Sequence, residues 1–214
     1  MSDTTQALII ALPVLFISMT LHEVMHAIAA DRLGDPTARL MGRISLNPMK
    51  HIDPFFTILM PLLLVLSHLP PFGAAKPVQV NFNRLKYDEF GGAIVGMIGP
   101  ITNLVIAALA ALILRTDNVA FGSLGYKILG YTVVINTGFF IFNSIPWPPL
   151  DGSRLLYAFA PRPLQEFMQS IERMGLFGLV IFVFLFFSFN NGLGNLIQSL
   201  VNALVPGLLP GLLQ

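Results

Sequence analysis

Residues 4–30 read TTQALIIALPVLFISMTLHEVMHAIAA, and the first 19 of them, 4–22, contain no Asp, Glu, Lys or Arg. A helix crossing the hydrocarbon core of a bilayer needs roughly 20 apolar residues. The stretch therefore predicts a membrane helix from about Ala7 to Ala30, with Pro13 as a kink point. It ends where Asp31, Arg32, Gly34, Asp35 and Pro36 cluster, a strong stop signal. Asp3 is the only charge before Glu23, so the basic n-region of a cleavable signal peptide is missing and a retained helix is expected.

Four further charge-free runs follow, 22 residues at 54–75, 25 at 90–114, 23 at 128–150 and 41 at 174–214. With the first run they total 130 of the 214 residues. Only 11% of the chain is charged, against about 25% in a soluble globular domain. The expected fold is an all-α polytopic membrane protein of five to six apolar helical segments, a single domain over 1–214 with a catalytic core at 7–152 and C-terminal helices at 173–213. Segment 54–69 is broken by Pro61, and Lys76-Pro77-Val78-Gln79-Val80-Asn81 alternates like a small β-hairpin. Residues 151–173 look like an amphipathic surface connection. The C-terminal run divides at Asn190-Asn191-Gly192 into a Phe-rich span and a segment weakened by Pro206 and Pro210. A formal net charge of +1 without a basic run gives no electrostatic footprint for nucleic acid. The absence of Cys removes disulfides, thiolate zinc sites and Cys nucleophiles.

His22-Glu23-Val24-Met25-His26 is an HExxH motif near the end of the first helix. Residues i and i+4 share a helical face, so both imidazoles can bind one ion while Glu23 lies beside the metal's water. Two His and a Glu are costly in an apolar span, and such groups usually have a functional partner. A catalytic zinc has three protein ligands and one open position. Asp151 is the best third candidate, because Pro146-Trp147-Pro148-Pro149-Leu150 ends the fourth helix and leaves a carboxylate at membrane depth. The competing reading makes Asp151 the N-cap of a helix that starts at Gly152. His51 with Asp53 reads as a pair supporting the ligands, a loop-ordering contact or a second metal site. The Gly-x-x-x-Gly spacing among Gly91, Gly92, Gly96 and Gly99 suits close helix packing. Phe182, Phe184, Phe186 and Phe187 suit a lipid-facing or packing surface, and His68 an interfacial position.

At these residues the chain resembles the site-2 protease family of intramembrane zinc metalloproteases. Beyond HExxH, the resemblance rests on Gly34-Asp35-Pro36-Thr37-Ala38, Asn47-Pro48-Met49-Lys50-His51-Ile52-Asp53-Pro54 and Gly73-Ala74-Ala75-Lys76-Pro77-Val78. It continues in Gly99-Pro100-Ile101-Thr102-Asn103 and in Asn143-Ser144-Ile145-Pro146-Trp147-Pro148-Pro149-Leu150-Asp151-Gly152. The resemblance implies one zinc per chain held by His22, His26 and Asp151, with Glu23 as general base. It implies that Asn143 and Asn103 help position the substrate or the oxyanion. Two departures from the family are the lack of an inserted PDZ-type domain or C-terminal regulatory (CBS) domain, and Gly73-Ala74-Ala75 where relatives carry an aromatic residue.

A single ion held by His22, His26 and Asp151 puts the ends of the first and fourth helices at one depth, so the two run parallel. The helix at 91–114 returns between them, which leaves 54–69 as a re-entrant hairpin or as a span offset by a returning loop at 70–90. With the hairpin, every basic residue except Arg115 and Lys127 falls on the side of the site. The positive-inside rule makes that side cytoplasmic and the N-terminus external. The expected function is zinc-dependent endoproteolysis in or near transmembrane segments of other membrane proteins, in a prokaryotic cell membrane. An extended strand at 73–81 is expected to pair with the unwound substrate. The rival readings are a metal-binding membrane transporter and an inactive homologue that binds a membrane partner.

Overall fold

The computed structural model describes residues 3–59, 75–116, 118–175, 177–178 and 192–212. Its helices are α1 (Asp3–Arg32), α2 (Thr37–Leu40), α3 (Asp88–Leu114), α4 (Leu124–Asn143), α5 (Gly152–Phe159), α6 (Arg162–Arg173), α7 (Gly192–Leu204) and α8 (Leu208–Leu212). Three helices are long and apolar enough to cross a membrane, Thr5–Arg32, Asp88–Leu114 and Leu124–Asn143. Pro13 and Pro100 lie inside α1 and α3 without ending them. Of the expected five to six apolar segments, three are spanning helices among the described residues. At 13 residues, α7 is about 20 Å long, too short for a core of about 30 Å. A break at Pro206 separates it from α8.

Of segment 54–69, only Pro54–Leu59 is described, as a π-helical turn. The expected hairpin at Pro61, together with His68, Gly73, Ala74 and the Phe182 to Phe187 cluster, lies outside the described residues.

Side-chain contacts fix how the spanning helices run. Lys127 Nζ of α4 donates to Gln6 Oε1 of α1 (3.3 Å), and Asn136 Nδ2 of α4 donates to Ser18 Oγ of α1 (2.8 Å). Beyond the end of α4, Asp151 meets His22. Contacts therefore advance together along both chains, and α1 and α4 are parallel. The helix between them, α3, is antiparallel to both: Val95 near its start meets His26, Asn103 meets His22, and Ala110 and Ala111 share a buried cluster with Tyr126 at the start of α4.

The surface of α3 explains how three helices come so close. Its buried positions are small, including Gly91, Gly92, Ala93, Gly96, Gly99, Ala107, Ala110 and Ala111. Its exposed positions carry Ile94, Ile101, Val105, Leu109, Leu112 and Ile113. Lipid tails are as apolar as Leu, so burying a large side chain gains little and helices associate through close backbone approach. Large residues face outward and small ones inward.

The expected small β-hairpin at 70–90 is corrected by the structure, since no strand occurs among the described residues. The reason lies in where the backbone donors of residues 76–81 go. Lys76 N–H donates to the His51 carbonyl (2.9 Å), Val78 N–H to Glu23 Oε2 (3.0 Å) and Asn81 N–H to Asp35 Oδ2 (2.7 Å). These acceptors belong to the end of α1 and the loop after it, not to a second strand. The segment lies as a strap across that end, and Lys86 N–H secures it to the Leu33 carbonyl (2.8 Å).

Asp35 anchors the strap. It is fully buried, and its carboxylate accepts from the Thr37 N–H and hydroxyl as well as from Asn81. Burial pushes its carboxyl pKa up, but the Thr37 hydroxyl, the two N–H groups and the Arg84 charge outweigh that and hold it below the usual carboxylate range. A folded pKa below the unfolded one gives a contribution that is complete above the unfolded value, about 3.9, and lost as pH falls through the folded value. Proteolytic protection of residues 75–86 is expected to stay constant from pH 8 to 5 and to fall only in stronger acid. Asp35→Ala is expected to remove that protection at every pH, at a cost of about 1–3 kcal/mol. Protection equal to wild type in Asp35→Ala would show that the strap is held elsewhere.

Candidate metal centre

The last turns of α1 put His22 and His26 on one helical face, both buried, with ring centroids 4.6 Å apart in an edge-on pair. Asp151 arrives from the far end of the chain. The prolines at 146, 148 and 149 cannot continue α4, and turns closed by Trp147 N–H to Ile145 O and Leu150 N–H to Trp147 O deliver Asp151 to the start of α5. Asp151 occupies the N-cap position but makes no side-chain capping bond. Its carboxylate turns to the imidazoles instead, with Oδ2 3.0 Å from His22 Nε2 and 3.4 Å from His26 Nε2. The two Nε2 atoms are 2.9 Å apart.

The outer nitrogens of the rings decide what the inner ones present. His26 Nδ1 lies 2.6 Å from the Val95 carbonyl, which can only accept, so Nδ1 carries the proton and Nε2 an open lone pair. His22 Nδ1 lies 2.6 Å from Asn103 Oδ1, which imposes the same tautomer. With both rings neutral, two imidazole lone pairs and a carboxylate oxygen converge on one point, an arrangement that suits a cation. His22, His26 and Asp151 form a group able to hold a metal ion, with ligand atoms all within 4.8 Å of one another. Zinc takes N and O donors at about 2.0–2.2 Å, which in a tetrahedron separates them by about 3.3–3.6 Å. The observed separations are close to that range, and the imidazole and carboxylate donor set suits zinc.

Two glycines of α3 leave room for the cluster. A Cβ on Gly99 would stand 2.3 Å from His26 Nε2 and 2.7 Å from His22 Cε1. A Cβ on Gly96 would stand 2.8 Å from the Asp151 carbonyl oxygen and from Arg154 Cβ. The small-residue spacing that the sequence suggests for helix packing therefore also forms the wall of the centre.

The remaining candidates fall at different distances from this point. Glu23 is buried, and its Oε2 accepts from Val78 N–H. Both ends of the Asn103 amide are engaged, Oδ1 with His22 and Nδ2 with Asn136 Oδ1 at 2.8 Å. Asn143 Nδ2 donates to the Phe139 carbonyl of its own helix (3.1 Å). His51 is fully buried, bonds the Ser45 carbonyl through Nε2 (2.9 Å), and accepts Lys76 N–H on its carbonyl. Asp53 Oδ1 accepts from Phe55 N–H (3.0 Å). His51 and Asp53 stand outside the group of metal-capable side chains. The sequence reading passes over Asn136 and Ser18, although a lone Asn in the apolar stretch Tyr131 to Phe142 is the kind of costly intramembrane polar residue that signals a partner.

Known proteins share this chain's sequence over most of its length. It is 35% identical over 179 residues to the Bacillus subtilis (strain 168) protein named "Putative zinc metalloprotease YwhC", covering 80% of this chain and 77% of that protein. The Mycolicibacterium smegmatis protein named "Putative zinc metalloprotease Rip2" is 31% identical over 140 residues, covering 63% of this chain and 51% of its own length. Its Mycobacterium tuberculosis H37Rv namesake is 27% identical over 174 residues, covering 79% of this chain and 63% of its own length. No family model and no solved structure matches the chain. With an HExxH helix, a distant aspartate drawn to its two histidines and this extent of shared sequence, the chain belongs to the site-2 protease family of zinc metalloproteases.

Proposed function

We propose that the protein is an intramembrane zinc endopeptidase that hydrolyses peptide bonds in or near transmembrane segments of membrane protein substrates. The observation that carries this reading is the convergence of three acceptor atoms, from His22, His26 and Asp151, at the buried end of a spanning helix that also bears Glu23. The names of the relatives support a protease over a metal transporter, and the retained Glu23 speaks against an inactive homologue.

His22 Nε2, His26 Nε2 and the Asp151 carboxylate would hold one zinc ion. When bound, zinc supplies a Lewis acid for the scissile carbonyl and acidifies the attacking water. Glu23 moves the proton. Its Oε2 accepts from Val78 N–H, which orients the carboxylate that would take the water's proton and return it to the leaving amine. A helical substrate hides its carbonyls in its own hydrogen bonds and must unwind before attack. Residues 75–81, laid across the site without a strand partner among the described residues, offer a backbone along which an unwound segment can lie. Asn143 and Asn103 are assigned to positioning the substrate or the oxyanion, and His51 and Asp53 to ordering the loop that carries the strap. Basic residues follow the site-bearing ends of α1 and α4 and precede α3, while Arg115 and Lys127 lie at the other end. By the positive-inside rule the site faces the cytoplasm and the N-terminus the outside of a prokaryotic cell membrane.

Four outcomes test this reading. Zinc analysis of detergent-purified protein is expected to find about one tightly held ion in wild type and in Glu23→Gln, and to find it lost in Asp151→Ala. Cleavage of a fluorogenic apolar peptide by Glu23→Gln is expected to fall about 10²–10⁴-fold. Zinc indifferent to Asp151, or full activity in Glu23→Gln, would displace those residues from their roles. Gly99→Ala would set a methyl group among the ligands, and it is expected to lose zinc while keeping wild-type helix content by circular dichroism. Zinc retained there would move the ion away from the α3 wall. Val78→Pro removes the N–H that orients Glu23 and is expected to lower turnover with zinc content unchanged. Turnover equal to wild type in that variant would exclude both the orienting bond and substrate pairing along the strap.

A further inference from the structure

A chain of buried amides leads from the centre into the membrane-spanning bundle, and its direction can be read atom by atom. The Thr132 main-chain carbonyl lies 2.9 Å from one end of the Asn136 side chain. A carbonyl only accepts, so that end is Nδ2, and its second proton goes to Ser18 Oγ on α1 (2.8 Å). The other end, Oδ1, can then only accept. The Asn103 atom facing it at 2.8 Å must be Nδ2, which turns Asn103 Oδ1 toward His22 Nδ1 at 2.6 Å. That oxygen requires a proton on Nδ1. Both amides are fully buried and Ser18 nearly so, so no competing water reverses the sequence.

We infer that Asn136 is a positioning residue which, acting through Asn103, fixes the tautomer and ring orientation of His22 and so keeps the Nε2 lone pair directed at the metal position. The polarity of the relay originates in the Thr132 carbonyl of α4. His26 needs no such relay, because the Val95 carbonyl sets its tautomer directly. The two imidazoles are therefore held by different means, one by the main chain and one by a side-chain relay joining α1, α3 and α4. Without Asn136, the Asn103 amide loses its acceptor and is free to rotate its NH2 toward His22. His22 then carries its proton on Nε2, where it blocks the metal. The metal consequence rests on the zinc peptidase reading, whereas the tautomer consequence does not.

The chain has four His residues, so ¹⁵N imidazole spectra of the metal-free, detergent-solubilised full chain can resolve His22, His26 and their tautomers. In wild type, His22 and His26 are both expected as the Nδ1–H form. In Asn136→Leu, His22 is expected to shift toward Nε2–H while His26 stays unchanged, and zinc affinity, titrated with the metal alone against a chromophoric chelator, falls about 10–100-fold. Asn103→Asp combined with Asn136→Leu is the rescue variant, because a carboxylate accepts from Nδ1–H whichever way it is turned. It is expected to restore the Nδ1–H form and most of the zinc affinity. If Asn136→Leu does not fold, Asn136→Ala is read in the same way. His22 as Nε2–H in wild type, His22 unmoved in the folded Asn136 variant, or equal shifts of His22 and His26 would overturn the proposal. Should wild type bind no zinc while His22 alone still shifts, the peptidase reading fails and the relay stands.

Discussion

The meeting of Asp151 with His22 and His26 is the contact on which the other features of this molecule depend. It joins the end of α1 to the turn beyond α4 across 129 residues of chain. It requires those two ends to lie at one level, which makes α1 and α4 parallel and obliges α3 to return between them. It also requires α3 to come within touching distance of both imidazoles, and Gly96 and Gly99 are the residues that allow it. A protein with only a few helices to bury its backbone gains little from large apolar side chains in a bilayer. Close approach and a few polar bonds hold the helices together at the centre, while an apolar cluster that includes Ala110, Tyr126, Val133, Val201 and Leu208 packs α3, α4, α7 and α8 away from it.

The polar groups at the centre divide into two sets. The inner set, His22, His26 and Asp151, presents acceptors to a single point. The outer set, Val95 O, Asn103, Asn136, Ser18 and Thr132 O, presents donors and acceptors in an order that leaves none of its buried amide ends unpaired. In a medium without water an unpaired polar group is expensive, so the outer set supports the bundle as well as the two imidazoles. Support for the ring orientation of a ligand and support for helix association are here the same bonds.

On the opposite side, the strap at 75–86 ties the site to the loop after α1. Asp35, His51 and Glu23 each receive one of its N–H groups, two on carboxylates and one on a main-chain carbonyl. Glu23 is thereby bonded to the strap that covers it. Motifs separated in the chain, Gly34-Asp35-Pro36, Asn47 to Pro54 and Lys76 to Asn81, become one assembly whose inner edge is the Glu23 carboxylate.

Much of this was legible in the residues. The apolar runs specify helices that suit a bilayer, because length and lack of charge alone decide whether a segment can span. The spacing of His22 and His26 specifies a shared face, because a helix repeats every 3.6 residues. Proline after Asn143 specifies a break that frees Asp151, but the same residues suited an N-cap equally well. Only the fold, by turning the carboxylate toward two imidazoles, separates those readings. The alternation at 76–81 suggests a strand because local sequence cannot show that the acceptors for its N–H groups are side chains and a loop carbonyl elsewhere in the chain. Nor can it single out Asn136, whose role exists only through partners on two other helices. Local pattern and composition marked the three spanning helices and the residues that can bind metal. The tertiary structure decided which atoms face one another, because hydrogen-bond direction and van der Waals contact depend on positions that residues far apart in the chain acquire only together.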